Sequence, residues 1–367
     1  MNWFDINDVE NIDSPALIVY KDRVQQNIHN VLSMVKDSAQ LRPHVKTNKM
    51  PEVCKMMIEA GINKFKAASI AEAEMLGMAD AQDVILAYQP VKPKFLRLIR
   101  LIQAYPKTRY SCLVDNPESL KMFSALASEA GLTIDVFIDL NVGMNRTGIK
   151  PSDAYNLFNE FKNLPGVDFK GFHAYDGHIR DYDLNDRTAH CERDFKEAEE
   201  LRLKVQEAGY SFPLLVAGGS PTFAIHSTRK HVECCPGTFI FWDKGYHDAL
   251  PEQDFHYAAL VLTRVISLPD VGKICIDLGH KSIASENDLQ KRVYFPEYPD
   301  LKPFAQNEEH MVIEVGAEHE FKVGDVLFAL PIHICPTVAL YDRAQIVEEG
   351  NVIDTWKVIA RDRMVNY

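Results

Sequence analysis

Two short runs of this sequence hold side chains suited to covalent and metal chemistry. Near the start, Arg42-Pro43-His44-Val45-Lys46-Thr47-Asn48-Lys49 ends a short apolar segment in a lysine. Near the end, Leu330-Pro331-Ile332-His333-Ile334-Cys335-Pro336-Thr337 sets an imidazole and a thiol two residues apart. A primary amine delivered at the end of a strand can form a Schiff base with an aldehyde cofactor. Most lysines are solvated surface charges, so this window by itself leaves both readings open. On an extended chain His333 and Cys335 point to one side, and imidazole with thiolate suits zinc. Two ligands do not close a structural zinc site. A site completed by water or substrate would be catalytic, and a buried cysteine beside a core histidine is the plain alternative.

Further polar groups stand at the ends of other apolar segments. His44 precedes Lys46 by two, which on a strand places both on one face. Asn141-Val142-Gly143-Met144-Asn145-Arg146-Thr147-Gly148 is a tight polar loop presenting Arg146, which could pair with a ligand oxyanion or a carboxylate. His173-Ala174-Tyr175-Asp176-Gly177-His178-Ile179-Arg180-Asp181 offers Tyr175 to stack on a flat ligand, with His178 and Asp181 as acid–base candidates. Gly218-Gly219-Ser220-Pro221-Thr222 lets backbone approach an anion, and Pro236-Gly237-Thr238 could complete that cradle. Ordinary turns would carry the same residues, but the late-strand position is where barrels often hold phosphate.

The elements that would position these groups follow a pattern. Ala16 to Tyr20, Leu41 to Lys46, Phe65 to Ser69, Val84 to Tyr88, Tyr110 to Val114, Ile134 to Leu140, Phe169 to Tyr175 and Pro213 to Ala217 read as strands, each followed by a crossover. This predicts an α/β fold built on a parallel (β/α)8-type barrel, with His231 to Cys234 making the count uncertain by one. After about Asp254 the helices stop. Segments such as Val261 to Ile266, Met311 to Val315 and Val352 to Ile359, separated by glycine turns, predict a second, mainly antiparallel β domain. The expected division is a barrel over residues 14–254 and a β domain from 1–13 and 255–367, the latter carrying His333 and Cys335.

Composition narrows the class. The 367 residues are 46% hydrophobic and 25% charged, as in a globular protein, and no apolar run approaches a membrane span. A net charge of -12 without a long basic run argues against nucleic acid and anionic membranes as partners. Seven scattered cysteines suggest no disulfide framework. Acids rather than basic residues follow Met1, so the expected location is the cytoplasm.

Taken in order, Pro43-His44-Val45-Lys46-Thr47, Asn145-Arg146-Thr147-Gly148, Gly218-Gly219-Ser220-Pro221-Thr222, Pro236-Gly237-Thr238 and His333-Ile334-Cys335-Pro336-Thr337 resemble the D-threonine aldolase and D-serine dehydratase family. These are pyridoxal-phosphate enzymes of the alanine-racemase-like fold type, and the likeness spans nearly the whole chain. It implies that Lys46 holds pyridoxal 5'-phosphate as a Schiff base, with His44 beside it. Arg146 would lie by the phenolic oxygen, Tyr175 by the ring, and Gly218, Gly219, Ser220, Gly237 and Thr238 at the phosphate. His333 and Cys335 would bind a divalent metal, with zinc favoured over manganese or magnesium. The expected assembly is a homodimer with the active site at the subunit interface, and the substrate a small D-amino acid.

Two outcomes follow from that chemistry. If a base takes the hydroxyl proton of a D-3-hydroxy amino acid, Cα–Cβ cleaves to glycine and an aldehyde. If Lys46 takes the α-proton, the hydroxyl leaves and a keto acid and ammonia result. Cys335 as second ligand resembles the dehydratase branch, which includes enzymes for D-serine and D-3-hydroxyaspartate. The aldolases carry a histidine six residues after the tyrosine, where this chain has Asp181, and Asn48 replaces a histidine that follows the Lys-Thr pair. The aldolase reading is favoured, with His178 and Asp181 as contenders for the hydroxyl proton. An amino-acid racemase is the remoter alternative and would need a tyrosine such as Tyr294, Tyr298 or Tyr341.

Overall fold

The computed structural model describes residues 2–367; Met1, part of the N-terminal run read above, lies outside the described residues. The chain divides into two compact units. One comprises residues up to Asn30, Thr47–Met50 and Thr238–Arg361; the other comprises Val31–Lys46, Pro51–Gly237 and Asp362–Tyr367.

The chain's first strand, β1 (Ala16–Tyr20), belongs to the first of these units and is taken up below. The other unit is built on β2 (Lys64–Ala67), β3 (Asp83–Leu86), β4 (Arg109–Val114), β5 (Ile134–Asp139), β6 (Val167–Ala174), β7 (Leu214–Ala217) and β8 (Val232–Cys234). They lie side by side in chain order, every pair parallel. Helices cover the sheet, so its strands read as nearly unbroken apolar runs: all four residues of β3 are buried, and five of six in β4. The run 41–44 joins the two edges through single parallel bridges, Leu41 to Cys234 and His44 to Lys66. Pro43 has no N–H to give, so the segment closes the sheet with isolated bridges instead of a continuous ladder.

Helix Pro117–Glu129 shows how the crossovers are specified. Asn116 caps it by accepting from Ser119 N–H, a proline opens it, and Leu120, Phe123, Ser124 and Ala127 form its buried stripe. The 24-residue helix Leu184–Glu207 is capped by Asp183 and buries Arg187, Cys191, Phe195, Ala198, Leu201 and Val205. His190 and Asp194 each precede a residue of that stripe and so lie along its border, one turn apart.

The other unit holds β1 with β9 (Ala259–Asp270), β10 (Lys273–Ile276), β11 (Val293–Tyr294), β12 (Lys302–Gln306), β13 (Met311–Glu314), β14 (Val326–Pro331), β15 (Arg343–Glu348) and β16 (Asn351–Lys357). The sheet runs β12-β13-β10-β9-β1-β15-β16, with β14 on both β9 and β11. All its pairings are antiparallel except β1 with β15. Alternation along β9 and β14 feeds two cores. Val261, Val265, Leu327 and Ala329 enter one; Leu260, Leu262, Phe328 and Leu330 enter the other.

Two expected barrel strands are therefore corrected: Leu41 to Lys46 is reduced to single bridges at Leu41 and His44, and the first strand moves to the other sheet. Ala16–Tyr20 lies in the mixed sheet, antiparallel to β9 and parallel to β15. An almost wholly buried apolar run followed by a helix has the same signature in either sheet, and the short run at 231–234 supplies β8 instead. No helix among the described residues is long and apolar enough to cross a membrane.

Candidate active site

Lys46 comes just after the bridge at His44, in a turn over residues 45–48, and is half-buried. It was expected at the end of a strand. The chain leaves the sheet two residues earlier, and the buried His44 ring takes a backbone role, its Nδ1 accepting the Lys46 N–H at 3.3 Å. His44 thus shapes the turn that presents the amine.

Within the same unit, the C-terminal ends of β2, β5 and β6 bring together groups that sequence reading passed over. Lys66, 3% exposed, places Nζ 2.7 Å from His173 Nε2, and His173 Nδ1 is 2.6 Å from Asp139 Oδ1. Lys66 Nζ also stands 4.9 Å from the centre of the Tyr175 ring, and the Arg146 guanidinium 5.4 Å from it. The His173 and Tyr175 rings are nearly parallel at 14°, with centroids 6.4 Å apart. Burial lowers the Lys66 pKa; Cys235 opposes this and the charge of Lys46 adds to it. Burial and Lys66 likewise hold the His173 pKa down against the pull of Asp139. Two cations beside one aromatic ring, with one carboxylate already tied to a histidine, suit an anionic, flat ligand. A signal for Lys66 was present: a cation alternating with apolar residues inside a strand.

The glycine loop after β7 meets this ring. Gly218 has φ +78, a conformation suited to glycine, and a Cβ there would come 3.0 Å from His226 Cδ2. A Cβ on Gly219 would come 3.2 Å from Tyr175 Cε2. Asp176 anchors the loop, accepting from Thr222 Oγ1 at 2.9 Å on one oxygen and lying 2.9 Å from His226 Nε2 on the other. Burial raises the Asp176 pKa, but these bonds outweigh it and the carboxyl lies below its ordinary range. Ser220 is buried in this loop. Gly237 and Thr238 are also buried, and Thr238 opens a short helical turn over Thr238–Ile240.

His178 and Asp181 are both tied to helix Leu184–Glu207. His178 Nε2 is 2.7 Å from Asp194 Oδ2, and His190 spans Asp181 at 2.8 Å and Asp194 at 3.2 Å. His190 and Asp194 are partners that the sequence reading missed. The hydrogen bond from His190 holds the Asp181 carboxyl below its usual range.

In the other unit, His333 caps the helix Ile334–Val338 and Cys335 lies in its first turn. The expected extended spacing is thus replaced by a cap-and-turn geometry, in which the imidazole and thiol still hydrogen-bond. His333 Nδ1 is 2.5 Å from Glu286, and Cys335 Sγ lies 3.1 Å from Thr47 Oγ1 and 3.7 Å from Thr238 Oγ1. Burial lowers the His333 pKa, but Cys335 and the carboxylates of Asp243 and Glu286 push it up to about 9. This pair offers an imidazole and a thiol to a metal ion, with the Glu286 carboxylate behind the imidazole.

The alanine racemase N-terminal domain family matches residues 19–244, and a serine dehydratase domain family matches residues 258–347. The chain belongs to the alanine-racemase-like family that contains the D-threonine aldolases and D-serine dehydratases. It is an enzyme of that kind, a pyridoxal-phosphate-dependent lyase. It is 29% identical to D-threonine aldolase from an Arthrobacter species, over 95% of this chain and 93% of that protein. It is 25% identical to D-threo-3-hydroxyaspartate dehydratase from a Delftia species, over 94% and 97%. The solved D-threonine aldolase of Filomicrobium marinum superposes with a TM-score of 0.88 at 25% identity, covering 98% of each chain.

Proposed function

We propose that this lyase cleaves D-3-hydroxy amino acids as a D-threonine aldolase, giving glycine and an aldehyde, with Lys46 as the cofactor lysine. The observation that carries the aldolase reading is the ionisable set beyond Tyr175, where His178 and Asp181 are backed by Asp194 and His190. Retro-aldol cleavage needs a group to take the hydroxyl proton, which dehydration through Lys46 does not.

The residues fit pyridoxal phosphate: an amine in a fixed turn, a cation-lined aromatic ring, and a glycine loop whose Cβ atoms would fill the space between loop, ring and His226. When bound, that cofactor supplies an electron sink for a bond broken at Cα. In this reading Arg146, Tyr175, the Gly218–Ser220 loop, Gly237 and Thr238 would hold the cofactor, the loop and Thr238 at its phosphate. His44 fixes the turn at Lys46. His333 and Cys335 would hold a divalent ion, zinc favoured, to polarise the substrate hydroxyl. Thr47 Oγ1 lies 3.1 Å from Cys335 Sγ and would help hold that thiol in place. We also propose a cytoplasmic homodimer; seven cysteines, none of them in a disulfide, accord with a reducing compartment.

The thiolate donor Cys335 favours a second reading, a dehydratase of D-serine or D-3-hydroxyaspartate. For a racemase, Tyr341 is a poor base, since it is partly buried and its hydroxyl donates to the Ser282 carbonyl at 2.7 Å.

Incubation with D-threonine and D-serine, with products identified, tests the proposal. Glycine plus acetaldehyde is expected; a keto acid with ammonia as the main product would assign the chain to the dehydratases. Chelation should stop turnover while visible absorbance persists, and turnover unchanged in metal-free protein would remove His333 and Cys335 from the reaction.

A further inference from the structure

We propose that His178, His190 and Asp194 form a second divalent transition-metal site, with Asp181 supporting His190 from behind. His190 and Asp194 stand one turn apart on helix Leu184–Glu207, and His178 reaches them from the turn after Tyr175. Their three ligand atoms lie within 4.8 Å of one another. The two imidazoles, 5.6 Å apart and inclined at 77°, converge on a single oxygen, Asp194 Oδ2, at 2.7 and 3.2 Å.

His178 Nε2 and His190 Nε2 both face Asp194 Oδ2, and His190 Nδ1 faces Asp181 Oδ2. A cation held by both Nε2 atoms leaves each ring neutral, the form in which imidazole ligates metal. Asp181, 2.8 Å from His190 Nδ1, then accepts the remaining proton and fixes the tautomer, as carboxylates do behind metal-bound histidines. Asp194 Oδ1 accepts from Arg193 at 2.8 Å, which leaves Oδ2 as the ligating oxygen. Space is also provided. Gly143 has φ +123, and a Cβ there would lie 2.6 Å from His178 Nε2 and 3.1 Å from Asp194 Oδ2. No side chain of residue 143 occupies that position.

Two nitrogens and one oxygen suit zinc, manganese, iron or cobalt better than magnesium or calcium. Three protein ligands with a position open to water is the form of a catalytic site. The three side chains are 15–25% exposed, enough for water to reach them. A cation there would lower the pKa of a bound water, supplying the acid–base group placed at this strand end. That role rests on the aldolase reading; the site itself rests on the geometry alone.

The test is metal stoichiometry, which needs no turnover. Purified protein carrying its cofactor is stripped with chelator, dialysed against zinc or manganese, and its metal per chain measured by elemental analysis. The variant with His333→Ala and Cys335→Ala should keep about one equivalent. Adding His190→Ala or Asp194→Asn should remove it, with circular dichroism and visible absorbance showing an intact fold. Asp181→Asn should keep the stoichiometry and weaken affinity ~10–100-fold. No metal in the His333/Cys335 double variant, or metal retained without both His190 and Asp194, overturns the proposal. Loss of metal with the wrong reaction products would leave the site standing and fail only the aldolase reading.

Discussion

At the N-terminal end of the parallel sheet, Arg42 lies between Asp83 and Glu233 at 2.5 and 2.7 Å, with Lys64 and Arg109 bound outside them. At the C-terminal end, Lys66 is as deeply buried but its amine meets the ring nitrogen of His173 and the face of Tyr175, with no ion pair to a carboxylate among the described residues. The first set is compensated. Burial raises the Asp83 pKa, but the two arginines outweigh it and keep the carboxyl below its ordinary range. The second set is short of negative charge, and Lys66 has its pKa lowered. One end of the sheet has closed its electrostatics within the protein; the other leaves positive charge for a ligand to complete. In parallel barrels the first end serves stability and the second chemistry.

Lys46→Ala puts the largest effect at the chemical end. Turnover should fall below about a thousandth of the native rate, with the visible absorbance lost and melting temperature nearly kept. Colour persisting in this variant would mean that another amine holds the cofactor. Arg42→Met tests the opposite end. Removing the cation leaves two buried carboxylates facing each other, and a loss of ~3–5 kcal/mol in denaturant unfolding is expected with kcat retained while folded. The acid side of the stability profile carries the same sign. A carboxyl with a lowered folded-state pKa contributes stability above its unfolded value, near ~3.9, and loses it as pH falls through the folded value. Melting temperature should therefore drop on acidification below about pH 4, and Asp83→Asn should flatten that slope. A kcat defect in Arg42→Met at unchanged stability would break the distinction between the two ends.

Little of this contrast could be read from the chain, though its framework could. The strand–helix alternation marked the parallel sheet, and Lys46, Arg146, Tyr175 and the Gly218–Ser220 loop were picked out by residue type at strand ends. The misses have physical causes. β1 was assigned to the wrong sheet because burial on both faces hides which neighbours a strand has. His190 and Asp194 went unnoticed because a charged helix such as Leu184–Glu207 reads as solvated surface; only the fold shows that one border of it meets His178. The helical cap at His333 was invisible because two residues of spacing suit a strand and a first helical turn alike. Arg42 was quoted only as part of the lysine run, since its partners lie 41 and 191 residues away.

Lys66 gives the finest test of the comparison, because it asks whether the shortage of negative charge is felt at Lys46. The two amines influence each other electrostatically. Under the proposed role of Lys46 as the cofactor lysine, a charge kept on Lys66 would oppose protonation at the cofactor-bound nitrogen. Lys66→Met should then raise the pH midpoint of the visible absorbance change by up to about one unit. His173 should shift in the same direction, since Lys66 is among the causes that lower its pKa. Lys66→Arg, which keeps the charge, should restore the native midpoint if it fits. An unmoved midpoint in Lys66→Met would show that Lys66 is neutral when buried. The C-terminal end would then owe its positive character to Lys46 and Arg146 alone.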